Sequence, residues 1–406
     1  MKAIIKASKI HGTVQAPPSK SMAHRYLIAA GFSEGESVVR NIAMSEDIKA
    51  TISCLEALGA KISEMPPKAN KNGLGYLDIS IRGKDPGEAD SALMDCNESG
   101  STLRFLIPAA ALSDKEMSFT GTHTLLSRPL SVYEDIFKEQ GLLLERTDEG
   151  IRLRGRLSGG EYEIPGDISS QFVSGLMMAL PLSDKDSIIK LTGSIESRPY
   201  IDMTMSALST FGIKLKWEDE SRISILGEQK YTPTDAVTEG DWSNAAYLMA
   251  LGADASGLDD NSLQGDKVCK EYFELLDKGF SEIDISDCPD LGPALMAYAA
   301  IRDGCMLYGT KRLKIKESDR GSAMREELSK FGITADVEEN SIRVSSGIKA
   351  PAEQLYGHND HRIVMALAAL CLNTGGVIEG ADAVNKSFPD FFDKIGALGA
   401  DFAIED

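Results

Sequence analysis

Cysteine, aromatic residues and positive charge are all scarce in this chain of 406 residues. The six cysteines (Cys54, Cys96, Cys269, Cys288, Cys305, Cys371) show no paired CxxC spacing. That argues against a disulfide framework and against a zinc site; small buried hydrophobes in a reducing cytoplasm are the expected role. No apolar run is long enough to span a bilayer, and the first residues lack the charged-then-apolar-then-small order of a signal peptide. Lys and Arg number 43 against 62 Asp and Glu, a formal net charge of -19. Such a field repels nucleic acid and anionic membranes, so neither is an expected partner. It also makes any local cluster of cations informative, because the cluster holds against the general trend. With 42% hydrophobic and 26% charged residues the composition is that of a soluble globular protein, and the length asks for two domains.

What is present is a repeat. Six times a helical stretch runs into a glycine and then into an alternating strand, around Gly59, Gly141, Gly212, Gly279, Gly332 and Gly399. Glycine after a helix supplies the left-handed C-terminal cap, and the alternation that follows suits a strand. The glycines stand 53 to 82 residues apart, too far for a solenoid and suited to six small αβ units. A second series interleaves with the first and is almost wholly apolar: 26–31, 102–112, 172–182, 245–253, 293–301 and 363–372. Helices apolar all round are buried, whereas the first series is amphipathic and covers a surface. Three units fall before about residue 236 and three after, with 231–234 as the connection, so two similar lobes are expected. The segment Pro66–Gly73 reads as an exposed loop before a strand.

Polar residues gather where the apolar helices begin. The first of these segments is Pro17-Pro18-Ser19-Lys20-Ser21-Met22-Ala23-His24-Arg25. Two prolines are well placed just before a helix, serines can cap its free N–H groups, and a helix N-terminus attracts anions. Lys20 adds a compact charge there and Arg25 a planar fork suited to phosphate or carboxylate. An ordinary capped helix with two solvated cations would read the same way, and short motifs misfire often. The corresponding starts are Glu98-Ser99-Gly100-Ser101, Ser169-Ser170-Gln171, Asp241-Trp242-Ser243-Asn244, Asp287-Cys288-Pro289-Asp290 and Asn359-Asp360-His361-Arg362. Capping alone accounts for each. The added cations and amides point to a shared anion site.

Further charged segments stand elsewhere. Arg128 and Arg198 each precede a helix-initiating proline, and Lys316-Glu317-Ser318-Asp319-Arg320 opens a helix expected over 321–330. Asp290 lies in an apolar stretch, as an N-cap or as a carboxylate able to take a proton from a hydroxyl. Lys386 stands one turn before another helix. Lys20, Arg25, Arg128, Lys316, Arg320, Arg362 and Lys386 are more cations than one monoanion needs, so two polyanionic small molecules fit better.

Taken in order, Ser19-Lys20-Ser21…Arg25, Ser169-Ser170-Gln171-Phe172, Lys316 to Arg320, Asn359-Asp360-His361-Arg362 and Lys386-Ser387-Phe388-Pro389 resemble the signatures of the 5-enolpyruvylshikimate-3-phosphate (EPSP) synthases, from the first strand to the last helix. The resemblance implies an α/β fold of two lobes, each of three βαβαββ units, as in an inside-out α/β barrel. The lobes would be 16–235, carrying most shikimate 3-phosphate contacts, and 1–15 with 236–406, with the active site in the cleft between them. It implies transfer of an enolpyruvyl group from phosphoenolpyruvate to the 5-hydroxyl of shikimate 3-phosphate, releasing phosphate. By similarity Ser21, Arg25, Ser169, Ser170, Ser197, Asp290 and Lys316 would hold shikimate 3-phosphate. Gly100, Arg128, Arg320, Arg362 and Lys386 would hold phosphoenolpyruvate, with Lys20 and Gln171 reaching both. Asp290 would be the base for the hydroxyl, Glu317 and Lys20 would move the proton of the methylene carbon, and His361 would assist or shape the pocket. No metal or redox cofactor is implied, and a cytoplasmic monomer is expected.

Some positions depart from the family pattern. Glu98 stands where Asn is common, Arg312 where Asn often contacts the sugar phosphate, and Phe105 where Pro is common. Gly100 leaves room beside phosphoenolpyruvate, which implies sensitivity to glyphosate, an inhibitor of the family. The rival readings are the sister enzyme acting on UDP-N-acetylglucosamine and a non-catalytic sensor of a sugar phosphate. Ser21, Arg25 and the Ser169-Ser170-Gln171 run speak against the first. Asp290, Glu317, Lys20 and Lys386 together speak against the second, since binding alone requires no proton-transfer groups.

Overall fold

The computed structural model describes residues 1–66 and 76–405. Of the loop expected over Pro66–Gly73, only Pro66 lies within the described residues. The chain forms two compact units, Lys20–Thr238 and Met1–Ser19 with Glu239–Asp406, against the expected boundaries at 16 and 235. Each unit has its own apolar core.

The sheets repeat one pattern, in which an edge strand runs parallel to its neighbour and two antiparallel strands follow. In the unit Lys20–Thr238 one sheet has the spatial order Ala92–Asp95, Met117–Thr120, Gly150–Arg154, Leu143–Thr147. A second has the order Glu161–Pro165, Ser187–Thr192, Arg222–Ile225, Leu215–Trp217. The third is completed from a distance: Ala236–Val237 lies parallel to Glu36–Ile42, which is followed by Leu77–Arg82 and Lys61–Met65.

The other unit repeats the pattern with Ser281–Asp284, Cys305–Tyr308, Ser341–Val344 and Ala335–Val337. It does so again with Leu355–Tyr356, Gly376–Glu379, Lys2–Ile5 and Phe402–Glu405. The first strand of the chain thus sits inside the last sheet, which is why the N-terminal residues belong with the C-terminal half. Among the described residues the sixth sheet is reduced to two parallel strands, Thr13–Gln15 and Asp254–Ser256.

Both helix series are present. The surface series is Glu46–Ala57, Ser131–Glu139, Arg198–Thr210, Cys269–Asp277, Arg320–Lys330 and Phe391–Ala397. The six glycines that follow these helices all have positive φ, between 73 and 133°, a region where a side chain is strained. The buried series is Lys20–Gly31, Gly100–Ala110, Ser170–Ala179, Trp242–Ala250, Gly292–Ile301 and His361–Thr374. These helices start one to six residues before their apolar runs, and in all but Gly292–Ile301 residues of the polar segments form the first turn.

One buried helix carries a proline inside it. Pro108 has no N–H to give the carbonyl of Arg104 one turn earlier, and Tyr133 Oη–H supplies the missing donor at 2.7 Å. The same hydroxyl is 3.1 Å from the carbonyl of Phe172 in the Ser170 helix. A Cβ at Gly175 would overlap both the tyrosine hydroxyl and the Arg104 carbonyl, so only glycine lets the two helices approach there. Tyr133→Phe leaves the buried Arg104 carbonyl without that donor and is expected to lower stability by about 1–3 kcal/mol. Urea unfolding with an unchanged denaturant slope would check it.

Candidate active site

In the unit Lys20–Thr238 the first helix begins at Lys20, directly after the two prolines and Ser19. Lys20 Nζ is 2.7 Å from Asp47 Oδ2, an acid in the first turn of the helix Glu46–Ala57. Arg25 is 3% exposed, and each of its nitrogens is used within the unit. It donates to the Ser21 carbonyl (2.6 Å), to Thr204 Oγ1 (2.8 Å) and to the Tyr200 carbonyl (3.0 Å), and lies 5.3 Å from the Phe105 ring centre. Burial pulls its pKa down to about 10. Ser21 is half-buried on the turn that Arg25 closes. Ser197 stands just before the helix Arg198–Thr210 with φ of 55°, a left-handed conformation that a serine adopts only when its surroundings enforce it.

Gly100 opens the next buried helix, whose cap Ser99 accepts the Thr102 N–H. A Cβ at Gly100 would stand 2.7 Å from Arg128 Nη1, so its absence lets that guanidinium lie against the first turn. Arg128 Nε is buried and bonds to no group among the described residues. Arg146 Nη2 donates to the Arg128 carbonyl at 2.9 Å and steadies the backbone there. Ser169 caps the third helix by accepting the Gln171 N–H, and Ser170 is the first helical residue. Gln171 is held on both sides: its Oε1 accepts from Arg104 Nη1 (2.7 Å) and its Nε2 donates to Ser101 Oγ (2.9 Å).

In the other unit the candidates converge on one carboxylate. Asp290 Oδ1 is 2.8 Å from Arg320 Nη1 and 3.0 Å from Lys316 Nζ, and its Oδ2 is 3.4 Å from Arg362 Nη2. Arg320, 1% exposed, also binds Glu317 through Nη2 and Asp360 through Nε. Asp360 caps the helix His361–Thr374 through the Arg362 N–H and accepts from Ser318 Oγ. His361 is buried with Nδ1 3.8 Å from Asp360 Oδ1, and Lys386 Nζ donates to the Asn359 carbonyl at 2.6 Å. Burial opposes the charge of Asp290, but Lys316, Arg362 and Arg320 outweigh it and hold its carboxyl well below the usual range. Burial lowers the pKa of Lys316 despite Asp290. Arg320 is raised well above its ordinary value, because Asp360, Glu317 and Asp290 overcome its burial.

One expectation needs correction. Asp290 is not an N-cap: it lies in the short turn Pro289–Leu291, and Leu291 precedes the helix Gly292–Ile301 without a side-chain cap. Its oxygens are taken by three cations instead. Within this cluster Lys316, Arg320 and Arg362 face Asp290, Glu317 and Asp360. Unspent donors remain all the same. Arg362 is buried over the Tyr247 ring, and its Nε and Nη1 bond to no group among the described residues. Arg312 is buried and donates to the Ser286 carbonyl, and Glu98 is half-buried.

Sequence reasoning passed over Arg104 and Asp47, and took Asp360 only as part of a helix start. Arg104 was detectable as a lone cation within an apolar helix, where a charge needs a partner. Asp47 looks like any acid in a first helical turn, and Asp360 like any cap. The cluster Glu326, Glu327 and His358 has metal-ligand spacing, but Lys330 Nζ already lies 2.8 Å from Glu327 Oε1 and supplies the cation.

The family described as EPSP synthase (3-phosphoshikimate 1-carboxyvinyltransferase) matches residues 4–395. A 3-phosphoshikimate 1-carboxyvinyltransferase of Clostridium novyi is 38% identical over 421 residues, covering 96% of each chain. One from Clostridium perfringens is 39% identical over 427 residues, covering 98% of each. A solved EPSP synthase of Acinetobacter baumannii superposes with a TM-score of 0.77 at 23% identity, over 100% of this chain and 99% of that one. At that identity the likeness is one of fold.

Asp290→Asn removes the shared counter-charge of three cations and is expected to cost about 1–3 kcal/mol at pH 7. A carboxyl that titrates lower when folded stabilises fully above its unfolded pKa, about 4, and progressively less as pH falls through the folded value. Urea unfolding of both proteins from pH 7 to pH 3 should therefore show the difference shrinking below about pH 4.

Proposed function

The chain belongs to the EPSP synthase family, and from that premise we propose how its residues divide the family's reaction. That reaction transfers the enolpyruvyl group of phosphoenolpyruvate to the 5-hydroxyl of shikimate 3-phosphate, releases phosphate, and serves chorismate and aromatic amino acid biosynthesis. Ser21, Arg25, Ser169, Ser170, Ser197 and Lys316 hold shikimate 3-phosphate. Gly100, Arg128, Arg320, Arg362 and Lys386 hold phosphoenolpyruvate, and Lys20 and Gln171 serve both.

The observation that carries this reading is the single carboxylate Asp290 shared among Lys316, Arg320 and Arg362. As it stands Asp290 is a weak base, because three cations stabilise its charged form. Anionic substrates compete for the same cations, and as they draw those charges away the proton affinity of Asp290 rises. The base is thereby switched on by the substrates it serves. Asp290 then takes the hydroxyl proton as the oxygen attacks C2 of phosphoenolpyruvate, while a proton adds to the C3 methylene. The tetrahedral intermediate loses phosphate by cleavage of its C–O bond, and C3 gives up a proton to restore the double bond. Glu317 and Lys20 are assigned the C3 proton transfers, with His361 assisting. Fixed guanidinium groups stabilise the charge gathered in the intermediate.

Phosphate release from phosphoenolpyruvate should require shikimate 3-phosphate, with UDP-N-acetylglucosamine inactive as acceptor. Release with the nucleotide sugar alone would overturn the acceptor. Asp290→Ala should remove most turnover and leave shikimate 3-phosphate binding largely intact, as read by calorimetry; near-normal turnover would end its role as base. Gly100→Ala should raise the KM for phosphoenolpyruvate by about tenfold or more, since the added methyl displaces Arg128. An unchanged KM would separate Gly100 from that substrate.

A further inference from the structure

Beneath the Gly100 turn, three helices are joined by side chains to which the reaction above gives no role. His24 Nδ1 lies 2.7 Å from Thr51 Oγ1, and Thr51 Oγ1 lies 2.7 Å from Thr102 Oγ1. Thr102 Oγ1 donates to Ser99 Oγ at 2.6 Å. All four residues are at most 1% exposed, so water offers them no alternative partner. The chain starts on the Lys20 helix, crosses the helix Glu46–Ala57 and ends at the cap of the Gly100 helix. The Asp47 carbonyl lies farther off, 3.3 Å from Thr51 Oγ1 and 3.5 Å from Thr102 Oγ1.

Proton counting gives the chain a direction. A hydroxyl has one proton to donate. That of Thr102 goes to Ser99, so the contact between the threonines needs the proton of Thr51, and His24 must then be the donor to Thr51. The ring proton therefore sits on Nδ1. Nε2 is left as a bare acceptor, buried without a hydrogen-bond partner among the described residues, with the ring edge-on to Phe105 at 6.5 Å. Burial, Lys20 and Arg25 all disfavour a second proton, so the ring stays neutral.

We propose that His24, Thr51 and Thr102 are positioning residues, a one-way chain of hydrogen bonds that sets the Ser99–Gly100 turn against Arg128. The clearance there is small: a Cβ at Gly100 would already meet Arg128 Nη1 at 2.7 Å, so a modest shift of the turn reshapes the space both residues line. Arg25 does not depend on the chain, because Thr204, Ser21 and Tyr200 hold its guanidinium directly. The chain thus bears on phosphoenolpyruvate more than on shikimate 3-phosphate, which rests on the assignment of Gly100 and Arg128 made above.

Thr51→Val keeps the shape of the side chain and removes the middle hydroxyl. Steady-state kinetics should show the KM for phosphoenolpyruvate raised about five- to tenfold and that for shikimate 3-phosphate changed less than about twofold, with Thr51→Ser restoring both. Equal rises in the two constants, no change in either, or no rescue by serine would reduce the chain to general packing and overturn the proposal. Should Thr51→Val not fold, the ring 15N shifts of His24 in the unmodified protein decide: the Nδ1–H form supports the chain and the Nε2–H form reverses it. An unmodified protein that releases no phosphate would instead count against the reaction itself, so the two failures are told apart.

Discussion

A guanidinium with 1% of its surface exposed has no water to solvate it, and Arg320 is in that position. Its charge is tolerable only because Asp290, Glu317 and Asp360 surround it. Those three carboxylates come from a turn before one helix, from the residues just before Arg320, and from the cap of another helix. Satisfying one cation therefore fixes the mutual placement of three elements of the C-terminal unit. Lys316 and Arg362 then complete the shell around Asp290. Much of the chemistry assigned to that unit depends on this one compensated charge.

The unit Lys20–Thr238 solves the corresponding problem differently. Among the described residues Arg25 is bound by two carbonyls and a hydroxyl, not by an acid, and Arg104 donates to the amide oxygen of Gln171 and the carbonyl of Pro129. Neutral acceptors hold Arg25 without cancelling its positive charge, which suits a site for anionic groups. Precision there comes from close packing: glycine at 100 and 175, the carbonyl freed by Pro108, and the hydroxyl of Tyr133 that takes it up.

Among the described residues five of six sheets share one strand order, and two of the five borrow a strand from far along the chain. Lys2–Ile5 lies between Gly376–Glu379 and Phe402–Glu405, and Ala236–Val237 extends the sheet of Glu36–Ile42. Ala236–Val237 ends one residue before the passage from one unit to the other at Thr238, whereas Lys2–Ile5 brings the start of the chain into its last sheet. The fold thus ties the ends of its repeats by backbone pairing rather than by covalent links, in keeping with six cysteines that are all free and buried.

The sequence by itself determined the local features. Periodicity separated buried from surface helices, glycines marked the ends of the surface series, and serines and aspartates marked the starts of several buried ones, because these signals are set by neighbours a few residues away. The family pattern likewise named Lys20, Arg25, Asp290, Arg320 and Arg362 from short ordered segments. Tertiary structure alone decided what those groups face. That Asp290 is shared by three cations rather than capping a helix, that Asp47 takes Lys20, and that His24 reaches Ser99 through two threonines all depend on residues tens of positions apart. The reduced sixth sheet and the borrowed strands belong to the same class. Long-range pairing is chosen by which partners can satisfy a buried charge or hydroxyl once the helices have packed, and a single chain carries no local mark of that choice.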